Sequence, residues 1–448
     1  MAVFTESEAR ALCDMILGQS NADAALVKLV SASDGFTNFA ENQPTAAGEA
    51  SVATATLTSV VRGGTASVRW NDLSRNAVQN AVTRCQELAR AAPEDPERMP
   101  PLGPQEFVSV GAFFSSTAEL GTAERTSAVL AVIEPARAAG LVATGAIQRV
   151  VKSQAVADSA GLFDYHDSTM VSFTTTVRTA DGTGVGWAGT THNDWLLTTA
   201  PSELARQAIE KAQASQGAEP VAAGDYLVVL EPAAVRSVTQ LLRASLDARA
   251  ADAGRSVFSH AEGANRLGEQ VIDERLTLLS DPEDPELLAC PFSEDGFPLT
   301  QTIWIQDGLL RNLSYSRYWA QQQGRDPTPP GGGIKLTGGE GTTADLTQNV
   351  GRGILVTRLG HVRATNPASL DCTGYTRDGT FLIENGQIIR PVGNLRFADS
   401  VLGMLNKVET IGTAVRTVAS ESTSFGESVV VPALVVRDVH FTSVSEVP

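Results

Sequence analysis

The dipeptide Asn385-Gly386 lies between the apolar runs 381–384 and 387–390. The two central residues of a type I′ turn require positive φ, which this pair accepts readily, so the flanking runs are constrained to pair as an antiparallel hairpin. Gln306-Asp307-Gly308 carries the same signal between 300–305 and 309–313, and Asp181-Gly182 carries it between strands near 170–178 and 185–189. Gly63-Gly64 breaks the β-rich stretch 51–70 as a hairpin turn would. Further strands are expected at 24–30, 141–156, 225–230 and 429–436. Tight turns at this density build antiparallel sheet rather than an alternating βαβ series.

Helices interrupt this pattern. Thr5 followed by Glu8 forms a capping box, and Leu12, Met15 and Ile16 line one face of the helix it opens. A second helix is expected over 72–91, with Val78, Ala81, Val82, Cys85, Leu88 and Ala89 as its buried stripe. That stripe makes Cys85 a core residue rather than a nucleophile. Helices at 122–139, 201–215 and 232–253 complete the set. The fold class is α+β, with two domains of largely antiparallel sheet and flanking helices. The polar run Gln216-Gly217-Ala218-Glu219-Pro220 marks the boundary. It divides the chain into an N-terminal α+β domain over 1–220 and a C-terminal β-rich domain over 221–448. The proline-rich segment 92–104 reads as a surface crossing, and the glycine- and proline-rich segment 327–343 as a functional flap or mobile crossing.

A chain of 448 residues carrying a net charge of -17 repels phosphate backbones at long range. Its arginines are scattered singly along the sequence, so nucleic-acid binding is not expected. No apolar run approaches the ~20 residues that span a bilayer, so no membrane association is expected. The start Met1-Ala2-Val3-Phe4-Thr5-Glu6 lacks the features of a secretory signal. The widely spaced Cys13, Cys85, Cys290 and Cys372 indicate neither a disulfide framework nor a paired-thiolate zinc site. These features place the chain in the cytoplasm by default.

None of the five histidines, His166, His192, His260, His361 and His440, has a second His or a Cys within one helical turn. His260-Ala261-Glu262 resembles a zinc motif only superficially. No G-x-S-x-G elbow occurs. Gly182-Thr183-Gly184-Val185-Gly186 follows a hairpin turn rather than joining strand to helix. Gly331-Gly332-Gly333-Ile334-Lys335 lacks the spacing of a phosphate loop. The paired acids at Asp281–Glu286 and at Glu294-Asp295 read as solvated or capping turns.

The order of segments is more specific than any of them alone. A strand at 225–230 enters a helix at Pro232, followed by Arg255-Ser256-Val257-Phe258, Gly268-Glu269-Gln270-Val271 and Leu276-Thr277-Leu278-Leu279-Ser280-Asp281-Pro282. Asp295-Gly296-Phe297-Pro298, Asp307-Gly308-Leu309-Leu310, Phe381-Leu382-Ile383-Glu384-Asn385-Gly386-Gln387-Ile388 and Val431-Pro432-Ala433-Leu434-Val435-Val436 come after them. This series resembles the TldD/PmbA family, also labelled modulator of DNA gyrase, over nearly the whole chain.

The resemblance implies a subunit type. TldD-type subunits of that family carry a His-Glu-x-x-x-His zinc helix and a later Cys ligand, whereas PmbA/TldE-type subunits lack both. Here the corresponding helix reads Thr239-Gln240-Leu241-Leu242-Arg243-Ala244, and no Cys follows Cys372. The implied role is a metal-free, non-catalytic subunit with no cofactor in this chain. Zinc is expected in a TldD-like partner subunit, and small or unfolded peptides are the expected substrates. The cleft-wall residues implied by the resemblance are His361, Asn366, Thr373, Gly374 and Asn394, for which turn chemistry and loop packing are the competing account. A stand-alone peptide-binding or regulatory protein is the rival reading. A self-sufficient hydrolase using His260 and Glu262 is the third.

Overall fold

The computed structural model describes residues 3–260, 263–418 and 427–444. Thr5 caps α1 (Glu6–Gly18) through the expected box with Glu8. The chain continues through β1 (Ala24–Ala40), β2 (Gln43–Val61), β3 (Gly64–Trp70), α2 (Arg75–Ala91), α3 (Ser115–Ala118), α4 (Thr122–Ala138), β4 (Leu141–Asp158), β5 (Phe163–Thr179), β6 (Val185–His192) and α5 (Pro201–Ala214). The strands form one antiparallel sheet in the order β3-β2-β1-β4-β5-β6.

Alternation along β1 divides the two faces of this sheet. Val27, Leu29 and Phe39 face the helices and are buried with Val78 of α2, Val129 of α4 and Leu204 of α5. Lys28 and Val30 face the other way. β1 and β5 run well beyond the expected 24–30 and 170–178. Their extensions are rich in Ser, Thr, Ala and Asp, so they carry little apolar alternation and are held by paired neighbours on both sides.

Two local expectations change. Leu88 is 37% exposed, and Gln86 is buried in the stripe instead, its amide donating to Ser20 Oγ. The turn between β2 and β3 is Arg62-Gly63, both at positive φ, so Gly64 already belongs to β3.

The second half contains β7 (Gly224–Leu230), α6 (Pro232–Ala244), α7 (Ala248–Asp252), β8 (Thr277–Ser280), β9 (Thr302–Gln306), β10 (Leu309–Leu310), α8 (Arg317–Gln323), β11 (Ile334–Thr337) and α9 (Thr343–Gln348). It ends with β12 (Arg352–Asn366), β13 (Asp371–Glu384), β14 (Gln387–Pro391), β15 (Leu395–Ser400), α10 (Val401–Asn406), β16 (Val408–Ile411), β17 (Val415–Arg416), β18 (Val429–Val431) and β19 (Leu434–Val444). One sheet runs β12-β7-β19-β15-β13-β14 and closes on itself, because β12 also pairs with β13. The other runs β10-β9-β8-β11-β18-β17. Trp304, Phe397, Phe441 and the apolar face of α6 fill the core these sheets share. Pairing is mainly antiparallel. The parallel pairs are β7 with β12 and β11 with β18.

Three expectations are corrected here. The helix 232–253 breaks after Ala244, and Asp247 caps a separate α7 by accepting from Ala250 N. The segment 327–343 is no free flap, because β11 lies inside a sheet between β8 and β18. The closing run 429–436 divides at Pro432, which cannot donate to a ladder, and sends β18 and β19 into different sheets.

Trp187 of β6 packs against Ala233 of α6 and Val418, and the Arg358 guanidinium lies 4.9 Å over its ring. Ion pairs Lys211–Glu231 at 2.7 Å and Arg249–Glu97 at 2.7 Å also join the first half to the second. The polar run 216–220 is tied down, with Glu219 N donating to Pro391 O.

Candidate functional site

Helix α6 divides its residues by chemistry. Ala234, Val235, Val238 and Leu242 enter the core, whereas Arg236, Gln240 and Arg243 recur at four- and three-residue steps along one stripe. Arg236 Nη1 donates to Thr417 O at 2.6 Å. Arg243 Nη2 donates to Gly331 O at 2.6 Å, and its guanidinium pairs with Glu427 at 3.1 Å. Next to Thr417, Arg416 Nη2 donates to Asn193 Oδ1 at 2.6 Å and to Ser428 Oγ at 2.5 Å. Its Nε and Nη1 are buried without an acceptor among the described residues. Burial pushes Arg236 and Arg416 down to about 10, opposed by Glu427 for the first and by Glu286 for the second.

A cavity of about 520 Å³ opens between α6 and the face of the first sheet that carries no helices. Lys28, Thr54 and Gln154 form its floor, Arg69 enters from edge strand β3, and Arg243, Cys290 and Glu294 come from the second half. Lys28 forms an ion pair with Glu294 across the two halves. Lys152, the next residue on this face after Gln154, is depressed by burial, with Cys290 and Glu294 acting against the shift. Burial pushes the Cys290 thiol up to about 12, which disfavours the nucleophilic thiolate. His166, 5% exposed, is pushed down to about 4 by burial and by Lys152. Asp164 is raised to about 6 by burial.

The residues singled out in the sequence fall elsewhere. His361, Thr373 and Gly374 line a second cavity of about 410 Å³ with Arg363, Tyr375 and Arg396. His361 adopts φ 48° and its ring lies 5.5 Å from that of Tyr375. Thr373 Oγ1 donates to Phe397 O at 2.9 Å. A Cβ on Gly374 would stand 2.8 Å from the Phe397 ring, so this glycine permits close packing. Asn366 and Asn394 do not line that cavity. Asn366 Oδ1 accepts from Ala368 N in the turn beyond β12, and Asn394 precedes β15.

The other candidate residues make local contacts where they are described. His260 pairs with Glu269, and Glu262 lies outside the described residues. Cys85 is buried, its thiol donating to the Leu57 and Ala66 carbonyls. Cys372 is buried, and burial raises its thiol to about 12. Among the described residues, no group of three or more His, Cys, Asp or Glu is placed to hold a metal ion. That donor set does not fit a zinc centre, which needs three protein ligands and an open position.

Residues 223–443 match the PmbA/TldA metallopeptidase C-terminal domain, and residues 115–216 match the PmbA/TldA metallopeptidase central domain. The chain belongs to the PmbA/TldD family. Metalloprotease PmbA of Escherichia coli O157:H7 is 28% identical over 174 residues, 37% of this chain and 37% of that protein. A metalloprotease of Methanothermobacter thermautotrophicus is 22% identical over 286 residues, 59% of this chain and 61% of the relative. The chain thus spans less than two thirds of these PmbA/TldD relatives. Solved structures extend the likeness of fold. A candidate modulator of a DNA gyrase from Thermotoga maritima superposes with TM-score 0.83 at 17% identity, covering 97% of this chain and 100% of that one. TldE from Thermococcus kodakarensis gives 0.81 at 16% identity, covering 97% and 100%. The PmbA/TldD fold is therefore present across nearly the entire chain.

The cations around the first cavity escaped the sequence reading. The one sequence signal was the seven-residue spacing of Arg236 and Arg243 on an otherwise apolar helix.

Proposed function

We propose that this chain is a metal-free, non-catalytic subunit of a PmbA/TldD-type peptidase assembly, which binds peptide beside a zinc-bearing partner subunit in a cytoplasmic heterodimer or higher assembly. The observation that carries this reading is α6. Where the family resemblance expects a zinc helix, this helix carries Arg236, Gln240 and Arg243 along one stripe and offers no His, Glu or Cys. The buried state of Cys372 and the absence of a three-donor group among the described residues support it.

This chain's own residues would bind and orient. The cavity beside α6 is walled by both halves of the molecule, which limits water around a bound chain. Edge strand β3 contributes Arg69 to that cavity, and a strand edge can hold an extended peptide through main-chain hydrogen bonds. His361, Thr373 and Gly374 remain the proposed wall of a second contact region, with Asn366 and Asn394 beside it. Peptide maturation and peptide turnover are both compatible with such a site.

Reconstitution tests the proposal. A paralogue bearing His-Glu-x-x-x-His should hydrolyse an unfolded peptide faster with this chain added, and this chain alone should not hydrolyse it. Hydrolysis by this chain alone, or a paralogue indifferent to its addition, contradicts the proposal.

A further inference from the structure

The chain carries a net charge of -17, yet the surroundings of the cavity beside α6 hold an excess of cations. Two of the lining cations are balanced, Lys28 by Glu294 and Arg243 by Glu427. Arg69 lines the cavity and forms no ion pair with a described residue. Lys152 stands on the same sheet face as Lys28 and Gln154, close enough to Cys290 and Glu294 to interact with both, again without an ion pair among the described residues. Arg236 lies two turns before Arg243 on the α6 stripe. Arg416 lies beside Arg236 at Thr417, and two of its buried guanidinium nitrogens have no acceptor among the described residues. Glu286, the other acid that acts on Arg416, is already engaged by Lys335 at 2.5 Å. Among the described residues, Arg69 in the lining and Lys152, Arg236 and Arg416 behind it therefore have no carboxylate partner in an ion pair.

Low-dielectric walls concentrate such a field inward, so the cavity attracts anions although the whole molecule repels them. Planar guanidinium groups favour a planar two-oxygen acceptor, which they can hold by paired N–H donors. We infer that the cavity between the first sheet and α6 recognises a carboxylate of the bound peptide, with Arg243, Lys152 and Arg69 as the groups that select it. This inference rests on the peptide-binding reading above and names the group of the peptide that this cavity takes. Arg236 and Arg416 are positioning residues. Arg236 holds the Thr417 carbonyl against α6, Arg416 ties the same segment to Asn193 and Ser428, and both add to the positive potential behind Arg243.

Calorimetric titration of the full chain with three short peptides tests the inference. The probes are N-acetyl-tri-alanine as the free acid, its C-terminal amide, and the amide of N-acetyl-Ala-Asp-Ala. A charge-assisted contact is expected to favour the free acid over its amide by roughly ten- to a hundredfold. Lys152→Met and Arg243→Gln should each erase most of that preference. Glu427→Gln, which frees Arg243, should sharpen it, so the inference stays testable if either of the first two variants fails to fold. Preference for the Asp-containing amide over the tri-alanine amide would assign the cavity to acidic side chains as well as chain ends, and supports the inference. Equal affinity for free acid and both amides overturns it and leaves peptide binding intact. No binding by any of the three overturns both readings.

Discussion

His166 illustrates what a single residue contributes to this fold. It lies on the open face of the first sheet, buried beside Lys152, and is held down to about 4. An unfolded chain would bind a proton on this imidazole near pH 6.5, whereas the folded chain resists it to about pH 4. The depressed value means that stability is fully present above pH 6.5 and is lost as the pH falls through that window. His166→Gln should abolish this part of the acid sensitivity, roughly 2–3 kcal/mol between pH 7 and pH 4. Urea denaturation of both proteins at the two pH values checks it, and an unchanged pH slope in the variant would refute the burial argument. Asp164, raised to about 6, acts in the opposite direction in wild type and variant alike, so the difference between them isolates His166.

At the scale of elements, the junction of β6 and α5 depends on close approach. Gly184 and Gly186 face the backbone of α5, and a Cβ on Gly186 would fall inside the contact distance of Ala208 O and Ala212 N. Gly186→Ala should push α5 away from the sheet and cost about 1–3 kcal/mol. Because the next residue, Trp187, packs on Ala233 and Val418, the same change should loosen the two halves. Limited proteolysis around 216–220 should then be faster than in wild type, and equal rates would contradict the coupling.

Elements also separate what was legible in the sequence from what was not. The box of Thr5 and Glu8, the Asn385-Gly386 hairpin and the stripe on α2 rest on local chemistry, and each stands with small changes at its edges. β11 escaped because four residues between glycine-rich flanks carry too little pattern, although Ile334 and Leu336 are fully buried. The long ends of β1 and β5 escaped because their order comes from neighbouring strands rather than from their own alternation. Three of the five residues drawn from the family resemblance converge on one cavity, which single-sequence chemistry had no means of locating.

At the scale of the whole molecule, cations that stand singly in the sequence meet only because the first sheet packs on α6. Lys28, Arg69 and Lys152 come from three strands of one sheet, and Arg243 comes from a helix beyond residue 230. The PmbA/TldD fold is retained here, and α6 presents guanidinium and amide groups along one stripe. In the proposed assembly this chain supplies binding and its partner supplies metal. Metal analysis of the chain expressed and purified alone, after exhaustive dialysis, tests it most directly. Zinc far below one ion per chain is the expected result. About one zinc per chain that survives dialysis and is lost on His260→Ala would contradict it.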